Sequence, residues 1–302
     1  MQIKIGSLTL KNPITVASGT AGYGEELSQY LDLYKLGAIF TKGLSLLPRK
    51  GNEGNRVLET PAGLLNSIGL ENVGLDAFLK NKLPYLIKKK ATVIPNIAGH
   101  SEEENIELSK TLSKTSGIKA LELNVSCPNV KEGGIAFGTN KKTFTHLLEK
   151  VREVTNLPLI VKLNPNVHDI TDYALIAQKI GVDAISAVNT FLGMKIDIQK
   201  KKPYFKNKIA GLSGPAIKPL AIRIIYQLFE KINIPIIGLG GISNLEDALE
   251  FIMAGASIIS IGTMNLINPK ISLLILKDLE NYCQINKIYS YQDLIGLGHE
   301  KN

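Results

Sequence analysis

Cys127 stands in the stretch LELNVSCPNV (121–130), with Asn124 three positions before it, Pro128 directly after it and Asn129 beyond. A thiol has an ordinary pKa of about 8.5, which falls when cations lie nearby, so it is a serviceable base near neutral pH. Amides both donate and accept hydrogen bonds, which suits the flanking asparagines to holding a polar ring. The segment that follows, 131–139, contains Gly133, Gly134 and Gly138, a composition fit for a loop that closes over a bound molecule. The plainer reading, a thiol that merely fills space, fits poorly with a place at the polar end of a strand.

Polar residues collect at the ends of other short apolar runs. Ser18 ends ITVASG (14–19), Thr41 and Lys42 end AIFTKG (38–43), and Asn96 lies in TVIPNIAG (92–99). Lys162 and Asn164 end LIVKLNP (159–165), and Asn189 and Thr190 end AISAVNT (184–190). IPIIGLGGI (234–242) and SIISIGT (257–263) carry Gly240-Gly241 and Gly262-Thr263 instead, and GLSGPAI (211–217) is a further glycine turn ahead of a helix. A lysine withdrawn from water needs an anion or hydrogen-bond acceptors. Two lysines brought to one mouth beside several asparagines therefore imply an anionic, polar ligand. Glycine amides at helix N-termini are a natural seat for phosphate.

With ALELNVSCP (120–128) these β-branched runs number eight, and amphipathic segments separate them, among them 102–115, 143–155, 170–181 and 244–256. Strands so apolar require a parallel sheet covered by helices. Eight such units predict an α/β fold, a (β/α)8 TIM barrel, with all of 1–302 in one catalytic domain. Long excursions follow strand 2 (44–91) and strand 6 (191–219), both leaving the C-terminal face where barrels build their sites. The glycine turns after strands 7 and 8 fall where such barrels seat a phosphate.

Composition narrows the partners. No apolar run is long enough to span a bilayer, and the N-terminus MQIKIGSLTL alternates as a strand pair about Gly6-Ser7 and not as a signal peptide. A cytoplasmic protein without a membrane is the expectation. Two cysteines, Cys127 and Cys283, and four scattered histidines predict neither a disulfide framework nor a metal site. The net charge of +8 invites nucleic acid, yet only Arg49, Arg56, Arg152 and Arg223 among the 35 basic residues are arginine, the side chain that phosphate and base recognition favours. The runs KKKA (88–91) and KKKP (200–203) are read as solvated lysines, and no nucleic-acid partner is expected.

A phosphate seat with lysines and amides suits a flavin mononucleotide, in which a lysine meets the negative charge of the reduced ring. It also suits a sugar-phosphate isomerase, although the strand ends offer no Glu or His base. At these residues the sequence resembles the class 1 dihydroorotate dehydrogenases, and more narrowly the class 1B catalytic subunit. The resemblance runs from VASGTAGYG to the IGT of strand 8 through TKG, NSIGLEN (66–72), NVSCPNVKEGG…FGT, VKLNPN, AVNT, SGPAIKP and GLGGI. It implies FMN held by Ser18, Lys42, Gly43, Asn96, Asn124, Lys162, Val188, Gly214, Gly240, Gly241, Gly262 and Thr263. It implies a pyrimidine substrate held by Lys42, Asn66, Ser67, Ile68, Gly69, Leu70, Asn124, Asn189 and Thr190, with Cys127 as catalytic base. The implied reaction oxidises dihydroorotate to orotate in pyrimidine biosynthesis, with hydride leaving C6 for FMN and a proton leaving C5 for Cys127.

KEGGIAFGT after the cysteine looks like class 1B, which implies a homodimer core within a heterotetramer. The second subunit of that assembly carries FAD and a [2Fe–2S] cluster and passes electrons to NAD. The small residues of TKG and NSIGL and the lysine-heavy 191–211 insertion depart from the family pattern. Other readings are a fumarate-linked class 1A enzyme, a dihydropyrimidine dehydrogenase-like flavin barrel, a tRNA dihydrouridine synthase, and a barrel serving only as a scaffold. The second of these is expected to carry CxxC clusters after the barrel. The third needs an RNA-binding domain, and the last would not keep every polar strand end.

Overall fold

Pro95 breaks the third strand of the barrel, and the ring of strands closes through that break. The computed structural model describes residues 1–126, 128–129 and 135–299. The parallel strands are β1 (Ile14–Val16), β2 (Ala38–Phe40), β3 in two pieces (Val93–Ile94 and Asn96–Ile97) and β4 (Leu121–Asn124). They continue with β5 (Leu159–Lys162), β6 (Ala184–Ala187), β7 (Ile236–Gly238) and β8 (Ile258–Ile261). The first piece of β3 pairs with β2 and the second with β4, while β1 pairs with β8, so the order returns on itself. Proline has no N–H to give a ladder, but the Pro95 carbonyl still accepts from Glu122 N at 2.9 Å.

The expected barrel is therefore present, its strands shorter than the apolar runs that announced them. Val16, Ile39, Val161, Ile185, Ile237 and Ile259 are wholly buried, as strands covered on both faces require. The outer layer includes α1 (Glu102–Ser113), α2 (Lys141–Val154), α3 (Ile170–Ile180), α4 (Lys218–Phe229), α5 (Leu245–Met253) and α6 (Ile271–Ile285). Side-chain caps set several starts: Ser101 Oγ accepts from Glu104 N at 3.1 Å, and Asn244 Oδ1 from Asp247 N at 2.8 Å. The predicted N-terminal strand pair is an antiparallel hairpin, Ile3–Ile5 with Leu8–Leu10.

The two excursions meet each other. Val57–Thr60, Gly63–Asn66, Ile209–Ser213 and Phe191–Met194 form one four-stranded antiparallel sheet over the mouth. Asn66 lies opposite Gly211 in its centre, and Leu65, Phe205 and Ala210 make a small core of their own beneath it. The lysines at 88–90 and 200–202 are exposed, as expected. Cys283 is half-buried at the edge of the main core, and burial raises its thiol pKa. Among the described residues, no helix is long and apolar enough to cross a membrane, and no cluster of His, Cys, Asp or Glu could hold a metal ion.

Candidate active site

A cavity of about 440 Å³ lies between the strand ends and the cap sheet, within the roughly 300–1,000 Å³ usual for small-molecule sites. Its lining includes every residue that the resemblance assigned to cofactor or substrate, from Ser18 to Thr263. Cys127 lies outside the described residues, as do Lys131 to Gly134 of its loop. The two ends of that loop are described: Gly138 N donates to Val125 O at 2.7 Å, so they are stitched together. Asn124 enters the cavity three residues before the cysteine. Of the other polar strand ends, Thr41 is turned to Asn96 N (3.4 Å) and Asn164 to Asn166 N (3.0 Å), and neither lines the cavity.

Lys162 closes β5 with its side chain wholly inside, and Nζ donates to Ser18 Oγ at 3.1 Å. Burial holds its ammonium below the ordinary lysine value, and the Glu122 carboxylate pushes it back up. An ammonium kept from water is stable only with such partners. Lys42 sits nearer the opening and pairs with Glu71 at 3.5 Å, while Arg56 reaches Glu71 at 3.2 Å. Lys42 foremost, with Arg56, holds the exposed Glu71 carboxyl below its usual value. The sequence reading missed Glu71, whose position inside NSIGLEN was its only signal.

The amides of the mouth are oriented by one another. Asn124 Oδ1 accepts from Ser126 N at 3.1 Å and from Asn189 Nδ2 at 3.3 Å. Asn189 Oδ1 accepts from Thr190 N at 2.9 Å. With the oxygens engaged, N–H groups remain to face the cavity beside Lys42, an arrangement that selects a ligand rich in acceptors. Asn66 Nδ2 donates to Gly211 O at 3.2 Å and fixes the cap strands above.

The glycine end is built for an anion. The backbone amides of Gly240, Gly241, Gly262 and Thr263 donate to no acceptor among the described residues, although all four residues line the cavity. Gly241 has φ +88°, and a Cβ there would lie 2.9 Å from Gly214 O and Lys218 N. A Cβ on Gly262 would meet no protein atom nearer than 3.8 Å and would stand in the cavity instead. Thr263 Oγ1 donates to Ser213 Oγ at 2.9 Å, adding hydroxyls to the same cradle. Unspent amides, bare glycines and hydroxyls fit a phosphate; a buried ammonium two strands away from β7, together with Asn96, fits the polar edge of a flavin ring.

Fold and site together define a (β/α)8-barrel enzyme with glycine-rich turns after strands 7 and 8 and an amide-lined pocket under a β cap. The chain belongs to the dihydroorotate dehydrogenase family, whose profile matches residues 1–282. It is similar to the protein of Desulforamulus reducens named dihydroorotate dehydrogenase B (NAD(+)), catalytic subunit, with 48% identity over 99% of this chain and 98% of that one. Proteins of the same name from a Thermoanaerobacter species (48% identity, 98% of each chain) and Geotalea uraniireducens (47%, 98% of this chain and 97% of that one) align as fully.

Proposed function

We propose that this chain is the FMN-binding catalytic subunit of an NAD-linked dihydroorotate dehydrogenase, a single catalytic domain that oxidises dihydroorotate to orotate for pyrimidine nucleotide synthesis. The observation that carries the reading is the convergence, in one cavity, of unspent glycine amides, a buried lysine and ordered asparagines. The backbone of Gly240, Gly241, Gly262 and Thr263 would hold the FMN phosphate. Ser18, Lys42, Gly43, Asn96, Asn124, Lys162, Val188 and Gly214 would hold the ribityl chain and ring. FMN bound there supplies a hydride acceptor for C6 of the substrate.

The protein's own part is positioning and proton removal. Lys42 and the amides of Asn66, Asn124 and Asn189 meet the substrate carboxylate and ring carbonyls, and Ser67 to Leu70 and Thr190 complete the pocket. Fixing the substrate in this way replaces an encounter with a held geometry. Cys127, three residues beyond Asn124, takes the C5 proton as general base. Electrons leave through a separate subunit with FAD and a [2Fe–2S] cluster that reduces NAD, bound to a homodimer of this chain in the cytoplasm.

The test is purification followed by a visible spectrum and anaerobic addition of dihydroorotate or dihydrouracil. About one FMN per chain, bleached by dihydroorotate and not by dihydrouracil, is the expected result. Protein that stays colourless after incubation with FMN would defeat both the site and the reaction.

A further inference from the structure

Glu122, the second residue of β4, is 2% exposed and lies inside a barrel that offers an acid no water. Strand register determines what it meets. Its Cα partners are Asn96 on β3 and Ile160 on β5, and Lys162 stands opposite Asn124 one step further along the same face. Partnered residues of parallel strands share a face, as do residues two apart, so Asn96, Glu122, Asn124 and Lys162 point into one interior. Asn96 Nδ2 donates to Glu122 Oε2 at 2.5 Å. A carboxylate can only accept, so the asparagine gives it the NH2 group and turns its carbonyl oxygen elsewhere. That oxygen lies beside Gly43, 3.1 Å from where a Cβ on that glycine would stand, at the cavity lining. Lys162 shares this interior, and there the Glu122 carboxylate opposes the effect of burial on its ammonium; Ser18, its hydrogen-bond partner among the described residues, is neutral.

We propose that Glu122 is a positioning residue of the cofactor site, fixing Asn96 with its carbonyl oxygen toward the ligand and standing as the counter-charge to Lys162 on the same interior face. Glu122 touches neither cofactor nor substrate and lines no part of the cavity; it acts through the two residues that do. The proposal rests on the reading of Asn96 and Lys162 as flavin partners, and it assigns the ligand group facing Asn96 as a hydrogen-bond donor.

The experiment compares the native chain with E122Q, K162M and the double variant. Glutamine keeps the shape of Glu122 but removes its charge and offers Asn96 a donor as well as an acceptor. Three results are expected. FMN binds E122Q at least ~10-fold more weakly than the native chain, the effect of about 1.4 kcal/mol. E122Q lowers the thermal midpoint in the native background and raises it in the K162M background, because there it removes a buried charge with no counterpart. The midpoint potential of FMN bound to E122Q gains a pH-dependent break below the ordinary lysine value, as an uncompensated buried lysine loses its proton; the double variant lacks this break. Cys127 is common to all four proteins and cancels from the comparison.

FMN affinity within twofold of native with no new break would overturn the proposal, and so would a thermal shift of the same sign in both backgrounds. If the native chain binds no FMN, the proposed function falls instead. The sign of the thermal shift then still decides whether Glu122 and Lys162 act as a unit.

Discussion

Lys162 Nζ donates to Ser18 Oγ at 3.1 Å, a hydrogen bond from the end of β5 to the segment just past β1. These strands lie four apart in a ring of eight, so the bond crosses the barrel mouth and sets the floor of the cavity. Replacing Lys162 with methionine removes the floor's cation while keeping its bulk. The variant is expected to fold and to purify with less than a tenth of the native flavin, measured by absorbance after gel filtration. Native flavin content in this variant would remove Lys162 from the cofactor site.

The cradle makes a second, purely steric prediction. Alanine at Gly241 must adopt φ +88° and place its Cβ 2.9 Å from two backbone atoms. Left-handed backbone alone costs an alanine roughly 1–2 kcal/mol, and the clash moves the amides proposed to hold the phosphate. FMN affinity should fall by at least ~10-fold, while riboflavin, which has no phosphate, loses less. Equal losses for both ligands would mean that the turn does not hold the phosphate.

Asn189 offers a test that distinguishes the proposed substrate pocket from the proposed cofactor site. Its amide is oriented by Thr190 N and in turn steadies Asn124, and its assigned role is toward the pyrimidine alone. Asn189 is half-buried, and removing a hydrogen-bonding amide that would face a bound ligand is worth roughly 1–3 kcal/mol. Asn189→Ala should therefore weaken dihydroorotate binding by ~5- to 150-fold with FMN content unchanged, as a titration of the flavin spectrum would reveal. Loss of flavin along with substrate would place Asn189 in the cofactor site instead.

Electron exit distinguishes the subunit from a self-sufficient enzyme. The isolated chain should reduce an artificial dye with dihydroorotate and leave NAD⁺ untouched, since the sequence carries no dinucleotide fingerprint or four-cysteine set. Rapid NAD⁺ reduction by this chain alone would contradict the NAD-linked subunit reading, and rapid fumarate turnover would point to the fumarate-linked class.

Much of this site was legible because barrels concentrate chemistry at strand ends, where a Lys42 or Lys162 after an apolar run is conspicuous. The glycine pairs at 240–241 and at 262 were legible for the same reason. Three features were not. The cap sheet depends on Asn66 meeting Gly211, a pairing 145 residues apart that no local pattern encodes. Pro95 looked compatible with a continuous third strand, yet its missing N–H splits that strand where the ring closes. Glu122 was hidden by alternation: LELN reads as a strand with one polar face, and in a closed parallel barrel that face is an interior. An acid there has no solvent and must have partners, which is the signal that could have found it.

The central claim is that Cys127 removes a proton while bound flavin takes the hydride, and stopped-flow bleaching of the flavin by dihydroorotate without oxygen measures that step alone. The native chain should bleach faster as pH rises through the thiol's ionisation, ordinarily near ~8.5 and lower beside cations. Cys127→Ala should bind dihydroorotate yet bleach ~10²–10⁴-fold more slowly, the usual worth of a positioned base, and Cys127→Ser should recover in part at high pH. Bleaching of Cys127→Ala at the native rate would contradict the account.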